Sequence, residues 1–576
     1  MPSVSEQTLP RCVLCGVHCP IGARLDAFGR AHTVYPADLG VTHGACVLAL
    51  TAVRMFSAAN RVFSPQAGPS LRPSPNGGGR RVGEAAVEAA LDDLARRLSS
   101  VPPDQVALCV DINRPLEGIA AAAALRDQAL PGAQVSAFVP PQDWPFAATG
   151  LGAGPSHSEI AGCDLVLAVG DVFSSHPAMA GFVRDMQQAR RQNRLISLDS
   201  APGRTSRGAD QAILLTPDRI APFLCALAVA AGAGEVKSAL GGLGAAEVCE
   251  RAQLDAAAVD NLKKALTDAK SPGILVAANL GRYTNSTAVL SAACQLAQVC
   301  GGRLWPLPLG TNSAALGALN QALALQSTAA TFDAIDSGQT KVLLVVGFDP
   351  ASVFPPRMWS HWNRRCGTIA WAASLESDFA DQARIVLPLA LGWEESGHKL
   401  SPEGAAEPFA AWLPAPRGVL TVEDLMQGLA GRLGASALTI ADMSKISALP
   451  AGSVSASAHI SRDVVEVRRP PVAPAAWLVG AHEPHGYTGG LSTDGLDWQR
   501  RLESTVRFGG ATVAGGESRA QVPAGGVQSA GGATVVSLPA HWPQLRELVE
   551  WAAPHAHGPV ANPAIVSLEN LQPQKA

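Results

Sequence analysis

Four cysteines near the start of the chain are the residues whose type and spacing point most directly to chemistry. Cys12, Cys15, Cys19 and Cys46 follow the pattern C-x2-C-x3-C-x26-C. Three thiols close together and a fourth from farther along the chain suit a cubane 4Fe-4S cluster, because each of its irons takes one thiolate. The pattern therefore predicts a cluster that transfers electrons.

Two other interpretations of these cysteines stay open. A structural zinc site also takes four thiolates, usually from two separated C-x2-C pairs, and the second pair is missing here. His18 and His43 are close enough in sequence to replace a thiolate, and the thiols could also carry no metal. Gly16 and Pro20 favour a cluster, since glycine lets the backbone approach the sulfurs and proline prevents a helix.

The composition limits the classes of protein to which this chain can belong. It has 576 residues, of which 47% are hydrophobic and 16% charged, with a formal net charge of -4. The length predicts several domains with a large core. The balance of charge offers no basic surface for nucleic acid. So little charge over such a length favours surface that is covered by partner subunits, although Ala-rich sequences show the same bias without a partner.

The remaining cysteines and the apolar stretches indicate a soluble, reduced setting. The longest apolar stretch, from Ile220 to Gly234, is too short and too rich in Ala and Gly for a membrane span. No export signal precedes the cysteine pattern, so we expect a cytoplasmic location. The other cysteines are scattered through apolar segments, as reduced core thiols are: Cys109, Cys163, Cys225, Cys249, Cys294, Cys300 and Cys366.

Helix and strand patterns alternate after the cysteines. Val82 to Ser100 has apolar residues at helical spacing, with acids early and arginines late. Buried strands are predicted at Gln105 to Ile112, Asp164 to Asp171 and Arg194 to Pro202. Continuous apolar strands that alternate with helices are typical of a parallel sheet with both faces covered.

We therefore predict an α/β fold with a small N-terminal iron-sulfur segment, two doubly wound Rossmann-like domains and a Gly/Ala-rich C-terminal region. A second alternating unit starts near residue 271 and includes strands at Lys341 to Ser352 and Arg384 to Ala390. The C-terminal region is either a small β-rich unit or loosely ordered. The predicted boundaries are 1–63 for the iron-sulfur domain, 64–81 for a linker, 82–270 and 271–447 for the α/β domains, and 448–576 for the C-terminal region.

Polar residues directly after the predicted strands are candidate ligand contacts, because doubly wound sheets bind ligands at the carboxyl ends of their strands. Hydroxyls and main-chain donors there can hold a phosphate, although the segment before Pro177 fits a helix N-cap equally well. The turn from Trp393 to Gly404 is either a ligand contact or a charged surface loop. The candidate cofactor-binding residues are Ser174, Ser175, His176, Asp199, Asp349, Glu395 and His398.

Together these segments resemble the molybdopterin oxidoreductase superfamily. The resemblance covers about residues 10 to 430 and rests on the cysteine spacing, on GCDLVLAVGDVFSSHP and on ADQARIVLPLALGWEESGHKLSPEG. It is strongest to formate and formylmethanofuran dehydrogenases, and the large iron-sulfur subunit of NADH:quinone oxidoreductase is related. It implies a 4Fe-4S cluster, a two-domain fold and a site for molybdopterin guanine dinucleotide with Mo or W.

The chain departs from the catalytic members of that superfamily at the metal ligand. Those members carry a cysteine, selenocysteine or other ligand before the GCDLVL strand. The corresponding stretch here, GAQVSAFVPPQDWPFAATGLGAG, has no cysteine and no histidine. Ser136 and Asp143 offer oxygen atoms that suit an oxidised metal. HKLSP also replaces the usual G-T-x-x-N turn, and no pterin-binding barrel is evident in the tail.

Three hypotheses for function follow. The first is an iron-sulfur subunit that transfers electrons in a complex of formate or formyl-group metabolism, without a working Mo or W centre, beside other iron-sulfur or flavin subunits. The second is a catalytic molybdopterin-dependent dehydrogenase subunit, with Arg54 or Arg72 between cluster and pterin. The third is a zinc-stabilised noncatalytic scaffold.

Overall fold

A computed structural model describes residues 84–465, apart from 201, 279, 281–282, 284, 353–355 and 451–452. Several of the predicted residues lie outside the described ones, namely Cys15, Cys19, Cys46, His18, His43, Arg54 and Arg72. Most of the predicted linker and of the C-terminal region also lies outside them. The shorter described stretches are Cys12, Gly22–Leu25, Ala31–Val34, Val62, Gln66–Ala67, Ala476–Gly480 and Ala533–Ser537.

The strands of the described residues are short and mostly buried. They are β1 Gly22–Leu25, β2 Ala31–Val34, β3 Gln66–Ala67, β4 Val106–Asp111, β5 Gln134–Phe138, β6 Leu151–Ala153, β7 Leu165–Val169, β8 Arg194–Asp199, β9 Gln211–Leu214, β10 Pro272–Ala277, β11 Arg303–Leu307, β12 Val342–Val346, β13 Thr368–Ala373, β14 Ile385–Pro388, β15 Gly397–Leu400, β16 Ala406–Phe409, β17 Leu449–Pro450, β18 Ala476–Gly480 and β19 Ala533–Ser537.

Helices connect these strands. They are α1 Glu84–Ser99, α2 Leu116–Ala129, α3 Trp144–Thr149, α4 Val172–Ser175, α5 Met179–Ala189, α6 Arg204–Gly208, α7 Pro217–Ala230, α8 Gly234–Ala239, α9 Ala245–Arg251, α10 Ala256–Asp268, α11 Ser286–Val299, α12 Leu316–Leu323, α13 Thr328–Asp336, α14 Pro356–Arg365, α15 Val422–Arg432 and α16 Ala456–His459. None of the helices in the described ranges is both long and apolar enough to cross a membrane.

One sheet has six strands in the order β3-β14-β13-β12-β4-β5. All neighbours pair in parallel except β3, which pairs antiparallel with β14 at the edge. In chain order the parallel strands run 2-1-3-4-5, which is a doubly wound order. Its strand order reverses between β4 and β12, so a ligand crevice is expected at the carboxyl ends of these two strands.

The other large sheet has five parallel strands in the order β11-β10-β7-β8-β9. Read from β9, the chain order is 3-2-1-4-5, the order of the Rossmann fold. The reversal lies between β7 and β10. The two sheets share one hydrophobic core cluster, which includes Val110 and Val346 of the first sheet and Val169 and Val276 of the second.

The parallel α/β architecture predicted from the sequence is confirmed, and the predicted strands correspond to β4, β7, β8, β12 and β14. The sheets do not follow the expected division at residue 270. Each draws strands from both sides of it, because the five-stranded unit is inserted between β5 and β12. Hydrophobic periodicity identifies each strand but not its partner, so the insertion left no local signal.

One smaller feature differs from what the sequence suggests, and another concerns the C-terminal region, for which the sequence left a β-rich unit open. The predicted polar turn from Trp393 to Gly404 contains β15, which pairs antiparallel with β16. In the C-terminal region, β18 pairs antiparallel with β19 across a long separation in sequence. The hairpin of β15 and β16 matters for the site, because it brings a polar strand to the edge of the six-stranded sheet.

Candidate functional site

Three segments meet at the carboxyl edge of the six-stranded sheet. They are the residues after β4, the loop 308–313 after β11, and β15. Asn312 joins all three, since its side chain donates to the carbonyl oxygens of Ile112 and Arg114 at 2.9 Å each and accepts from the Leu400 amide at 3.0 Å. The edge of one sheet is thereby bound to the loop of the other.

Arg114 fills the crevice between β4 and β12. Its guanidinium donates to the carbonyl oxygens of Ala390 at 2.6 Å and Gly347 at 3.2 Å. It also forms an ion pair with Glu395 at 3.0 Å, with both side chains 3% exposed. A Cβ on Gly347 would overlap the Arg114 Nε, so the glycine is required by the close approach as well as by its φ of +89°. The crevice is therefore occupied by the ion pair of Arg114 and Glu395.

Glu395 is a predicted ligand contact, but both of its carboxylate oxygens bind groups of the protein itself. One carboxylate oxygen pairs with Arg114, and the other accepts the Val422 amide at 2.8 Å. This second bond satisfies one of the unpaired amides at the start of α15. The residue anchors the helix that covers this edge.

Lys399 lies beside this ion pair and is fully buried. Its ammonium donates to the carbonyl oxygen of Asn113 and lies 5.4 Å from the centroid of the Phe409 ring. Burial lowers the pKa of Lys399 to about 7, and the charges of Glu395 and Asp111 partly oppose this. A buried ammonium with so few partners is unusual, because transfer of a charge out of water is costly.

The first of the predicted cluster cysteines belongs to the same edge. Cys12 is 3% exposed, and its charge is among those that act on Lys399. The Val62 amide, from the same N-terminal part of the chain, donates to the Ser374 carbonyl at 3.1 Å. The Ser374 hydroxyl in turn accepts from Arg114. The N-terminal segment thus meets the crevice edge at two points.

Three buried carboxyls near the edge have raised pKa values. Burial raises the pKa of Asp111, Asp143 and Asp349 to about 6, against the opposing effect of hydrogen bonds and nearby cations. Asp349, a predicted contact, follows β12 and accepts from the Ser377 hydroxyl at 2.7 Å and the Ala351 amide at 2.9 Å. Its bonds close the turn after β12.

His398, the last predicted contact on this edge, pairs with Glu117. The His398 amide donates to Glu117 at 2.8 Å, and its Nδ1 bonds the other carboxylate oxygen. The two side chains are 27% and 21% exposed. His398 and Lys399 are successive residues of a strand and therefore point to opposite faces.

The corresponding edge of the five-stranded sheet is held by Asp171. Its carboxylate accepts from the amides of Arg204 and Thr205, at 3.0 and 2.9 Å, and from two hydroxyls. A Cβ on Gly203 would overlap an Asp171 oxygen. The Asp171 carboxylate therefore already accepts the backbone amides that a phosphate would bind. Its negative charge would also repel an anionic ligand.

The predicted phosphate contacts on this edge are bonded internally. The Ser174 hydroxyl donates to Asp171 at 2.7 Å, and the Ser175 hydroxyl donates to the Asp171 carbonyl at 3.1 Å. His176 is fully buried between the Ser175 hydroxyl and the Pro308 carbonyl, both at 2.9 Å. Ser174 and Ser175 lie inside α4, and α5 starts after Ala178 with no side-chain cap, so these side chains neither cap the following helix nor leave an open phosphate site.

Asp199 closes the end of β8. It accepts from the Tyr283 hydroxyl at 2.7 Å and from the Ser200 amide at 2.6 Å, and both Asp199 and Tyr283 are 1% exposed. The Ser200 hydroxyl is buried and has no hydrogen-bond partner among the described residues.

The two residues with oxygen atoms suited to molybdenum are also internal. Asp143 accepts the amides of Leu309 and Gly310 and the Ser313 hydroxyl, which fixes the loop after β11. Ser136 is fully buried in β5 and accepts from the Thr331 hydroxyl at 3.0 Å. Neither offers an uncommitted oxygen to a metal.

The described side chains therefore do not fit a pterin dinucleotide at the predicted positions, because most of their polar atoms are already bonded within the protein and Arg114 and Glu395 fill the crevice of the six-stranded sheet. Cys12 does fit a cluster in its chemistry, since it is a buried thiol that interacts electrostatically with Lys399. No group of three or more His, Cys, Asp or Glu that could hold a metal occurs among the described residues. The other three cluster cysteines lie outside them.

The remaining described cysteines are structural thiols. Apart from the half-buried Cys300 they are buried, and none forms a disulfide in the described part of the chain. Burial raises the pKa of Cys109, Cys225 and Cys366 to about 12, so these thiols stay protonated at neutral pH. This agrees with the predicted reduced core thiols.

Sequence reasoning missed Arg114 and Asn312, the residues that organise the site. Arg114 had a usable signal, since it comes two residues after the strand predicted at Gln105 to Ile112. Asn312 had none, because its loop reaches the other sheet only through the inserted topology. Lys399 was recognised as part of a polar turn, but its burial depends on the pairing of β15 with β16.

No protein-family model matches the chain, and no curated protein matches it. Solved structures do. The chain is similar to acetylene hydratase from Pelobacter acetylenicus, with 14% identity and a TM-score of 0.55 over 74% of this chain and 69% of that one. It is also similar to the formyltransferase/hydrolase complex FhcABCD from Methylorubrum extorquens in complex with methylofuran, with 16% identity and a TM-score of 0.42 over 61% of this chain and 96% of that one. The likeness to acetylene hydratase shows the fold.

Proposed function

We propose that this chain is the iron-sulfur subunit of a molybdopterin oxidoreductase-type complex and has no working Mo or W centre of its own. A 4Fe-4S cluster on Cys12, Cys15, Cys19 and Cys46 would transfer its electrons. The fold shared with acetylene hydratase supports a molybdopterin-enzyme-like fold. In this chain, the residues predicted to bind the pterin dinucleotide form hydrogen bonds with other residues of the protein instead.

The observation that carries the proposal is that protein side chains already occupy the carboxyl edges of both sheets. Arg114 and Glu395 fill the crevice of the six-stranded sheet, and the Asp171 carboxylate binds the amides of Arg204 and Thr205 at the carboxyl edge of the five-stranded sheet. Cys12 is a buried thiol that interacts electrostatically with Lys399 at the first of these edges. A buried thiol at this edge, together with cofactor contacts that are bonded within the protein, supports a cluster-bearing subunit over a pterin-binding one.

When bound, the cluster would supply one-electron transfer. The chain's own residues exclude water from the Cys12 thiol and hold a cation near it. A nearby cation favours the thiolate, which is the form that binds iron. The setting we propose is formate or formyl-group metabolism, on the resemblance of GCDLVLAVGDVFSSHP, with partner subunits that carry further redox groups.

Metal analysis of anaerobically purified protein tests this proposal. We expect about four irons per chain and no stoichiometric Mo or W. Stoichiometric Mo or W would instead support the catalytic dehydrogenase, and zinc without iron would support the scaffold. Cys12→Ser should remove the low-temperature paramagnetic signal of the reduced protein. Cys366→Ser, at another buried thiol, should leave it unchanged.

A further inference from the structure

The outer edge of the five-stranded sheet is exposed. β9 is its last strand and, among the described strands, pairs only with β8. Gln211, Ala212 and Leu214 of β9 are exposed, with Leu214 at 47%. In an edge strand, half of the N–H and C=O groups point away from the sheet, where they can pair with another chain. β9 itself carries none of the charged or proline residues that usually block such pairing.

Two of these exposed residues lie on the face of the sheet that α5 covers. In the register of β8 with β9, Ala212 lies opposite Ser197. Ser197 shares a face with Leu195, which belongs to the apolar cluster under α5. Leu214 follows Ala212 by two residues, so it lies on the same face. The end of β9 therefore offers an apolar contact to a further strand on this face.

Exposed arginines surround the same edge. They lie in α5, between α5 and β8, at the start of β8 and in α6, which leads into β9. α5 is close to the start of β9, since the Gln187 side chain donates to Asp210 at 3.5 Å, and α6 contacts β9 directly. None of these arginines forms an ion pair among the described residues. They are Arg184, Arg190, Arg191, Arg194, Arg204 and Arg207.

The acidic residues of this segment do not balance its arginines. Residues 184–214 include six arginines and three aspartates. Asp199 is buried and bonded to the Tyr283 hydroxyl at 2.7 Å, and Asp210 accepts the Leu195 amide at 2.8 Å. The surface beside β9 therefore has an excess of positive charge, although the whole chain has a formal net charge of -4. Such a surface attracts an acidic partner and repels a basic one.

We propose that the edge of β9 binds an extended acidic segment of a partner protein as a sixth strand of this sheet. The backbone of that segment pairs with β9, one of its apolar side chains packs on Leu214, and its carboxylates pair with the surrounding arginines. A second copy of this chain fits poorly, because pairing of two β9 edges brings two sets of arginines together. The inference goes beyond the proposed function and does not depend on the cysteine cluster.

Binding of a synthetic peptide to the full chain tests the proposal. The probe is Glu-Glu-Val-Thr-Val-Thr-Glu-Glu, a strand-forming centre with acidic ends. We expect a dissociation constant below about 1 mM, slower hydrogen exchange of the β9 amides, and weaker binding as salt is raised. The same peptide with lysine in place of glutamate should not bind. The acidic peptide with N-methyl groups at alternate residues should bind much more weakly, because it lacks donors for strand pairing.

Two protein variants with the same change of charge locate the site. Arg191→Glu/Arg194→Glu reverses two exposed charges beside β9 and should weaken binding of the acidic peptide at least several-fold. Lys237→Glu/Lys264→Glu reverses two exposed charges on α8 and α10 and should leave it unchanged. If the first variant does not fold, Arg191→Gln/Arg194→Gln makes a milder change at the same place and should also weaken binding.

The other outcomes overturn the proposal. No protection of β9 by the acidic peptide at about 1 mM, or equal binding of the lysine peptide, would mean that this edge is not a site for an acidic strand. Equal binding of the N-methylated peptide would mean attraction of charge without strand pairing. A dimer of the wild-type chain with β9 protected in the absence of peptide would assign the edge to a second copy. Each of these results leaves the iron content, and so the proposed function, untouched.

Discussion

At the scale of single residues, the site is a set of buried charges that the protein pairs within itself. Arg114 and Glu395 are each 3% exposed and bond each other, three carbonyl or hydroxyl oxygens and one amide. Such a pair costs much desolvation, and its value lies in geometry more than in net stability. Removal of one partner should therefore destabilise the fold, because the other partner is then a buried charge without compensation.

Arg114→Met should destabilise the fold by about 3–5 kcal/mol, because it leaves the buried Glu395 carboxylate without its cation. Denaturant unfolding measures the change. The double variant Arg114→Met/Glu395→Gln should recover part of the loss. As a control, Arg303→Ala breaks an ion pair with Glu159 in which both side chains are more than 40% exposed, and should cost less than about 1 kcal/mol. Equal effects for the two arginines would contradict this account.

Asp349 predicts a dependence of stability on pH. Burial raises the pKa of its carboxyl from 3.8 to about 6, so between these values the folded state holds a proton that the unfolded state has lost. Stability therefore falls as pH rises through this window, by roughly 3 kcal/mol at most for a shift of about two units.

Asp349→Asn should flatten this dependence between pH 4 and 6, as followed by the free energy of unfolding at a series of pH values. Asp104→Asn, at an exposed position, should leave the wild-type slope unchanged. If Asp349→Asn and wild type give parallel curves, the buried carboxyl does not titrate as described.

At the scale of elements, turns and caps place the polar groups. The turn after β12 needs Gly347, because its backbone has positive φ and Arg114 occupies the space of a side chain. At the start of α15, the Thr421 hydroxyl accepts the Asp424 amide at 3.1 Å, while the Asp424 carboxylate accepts the Thr421 amide at 3.2 Å. This capping box fixes the helix whose first amide binds Glu395.

Gly347→Ala should destabilise the protein more than Gly338→Ala. Both glycines have positive φ, at +89° and +74°, so both bear the strain of a left-handed alanine, about 1–2 kcal/mol. An added Cβ meets Arg114 at Gly347 and nothing within 4 Å at Gly338. The clash should add about 1–3 kcal/mol, measured by thermal or denaturant unfolding. Similar losses at the two positions would show that Arg114 can move aside.

Thr421→Ala should cost about 1 kcal/mol by removing the capping box of α15. The loss should appear as faster amide hydrogen exchange in the first turn of that helix, and so near Glu395. Thr267→Ala, on the exposed end of α10, removes a hydroxyl bonded within its own helix and serves as the control. Unchanged exchange in α15 would mean that tertiary packing alone holds its first turn.

At the scale of the whole molecule, the inserted five-stranded unit is the main fact. All strands of that sheet lie between residues 165 and 307, and the strands of the six-stranded sheet flank them. A fragment of residues 154–310 should therefore unfold cooperatively on heating. A fragment of residues 82–270, which ends at the boundary expected from sequence, lacks strands of both sheets and should not. The reverse result would contradict the strand pairing.

The sequence by itself determined the parallel α/β class and the positions of several strands. Apolar strands between helical patterns predicted a parallel α/β fold, and β4, β7, β8, β12 and β14 lie where the patterns placed them, because burial on both faces requires such runs. The cysteine spacing carried the cluster hypothesis, since ligands close in sequence need no knowledge of the fold. That hypothesis stays a prediction for all four cysteines.

Only the tertiary structure decided which strands share a sheet and which polar groups are already bonded. Ser174, Ser175 and His176 follow a strand as predicted, yet their partners are Asp171 and Pro308, and the latter comes from a distant loop. Arg114 meets Glu395 across 281 residues of sequence. Local pattern records residue type and spacing, whereas the hydrogen-bond partner of a buried group is set by long-range topology, which no local pattern contains.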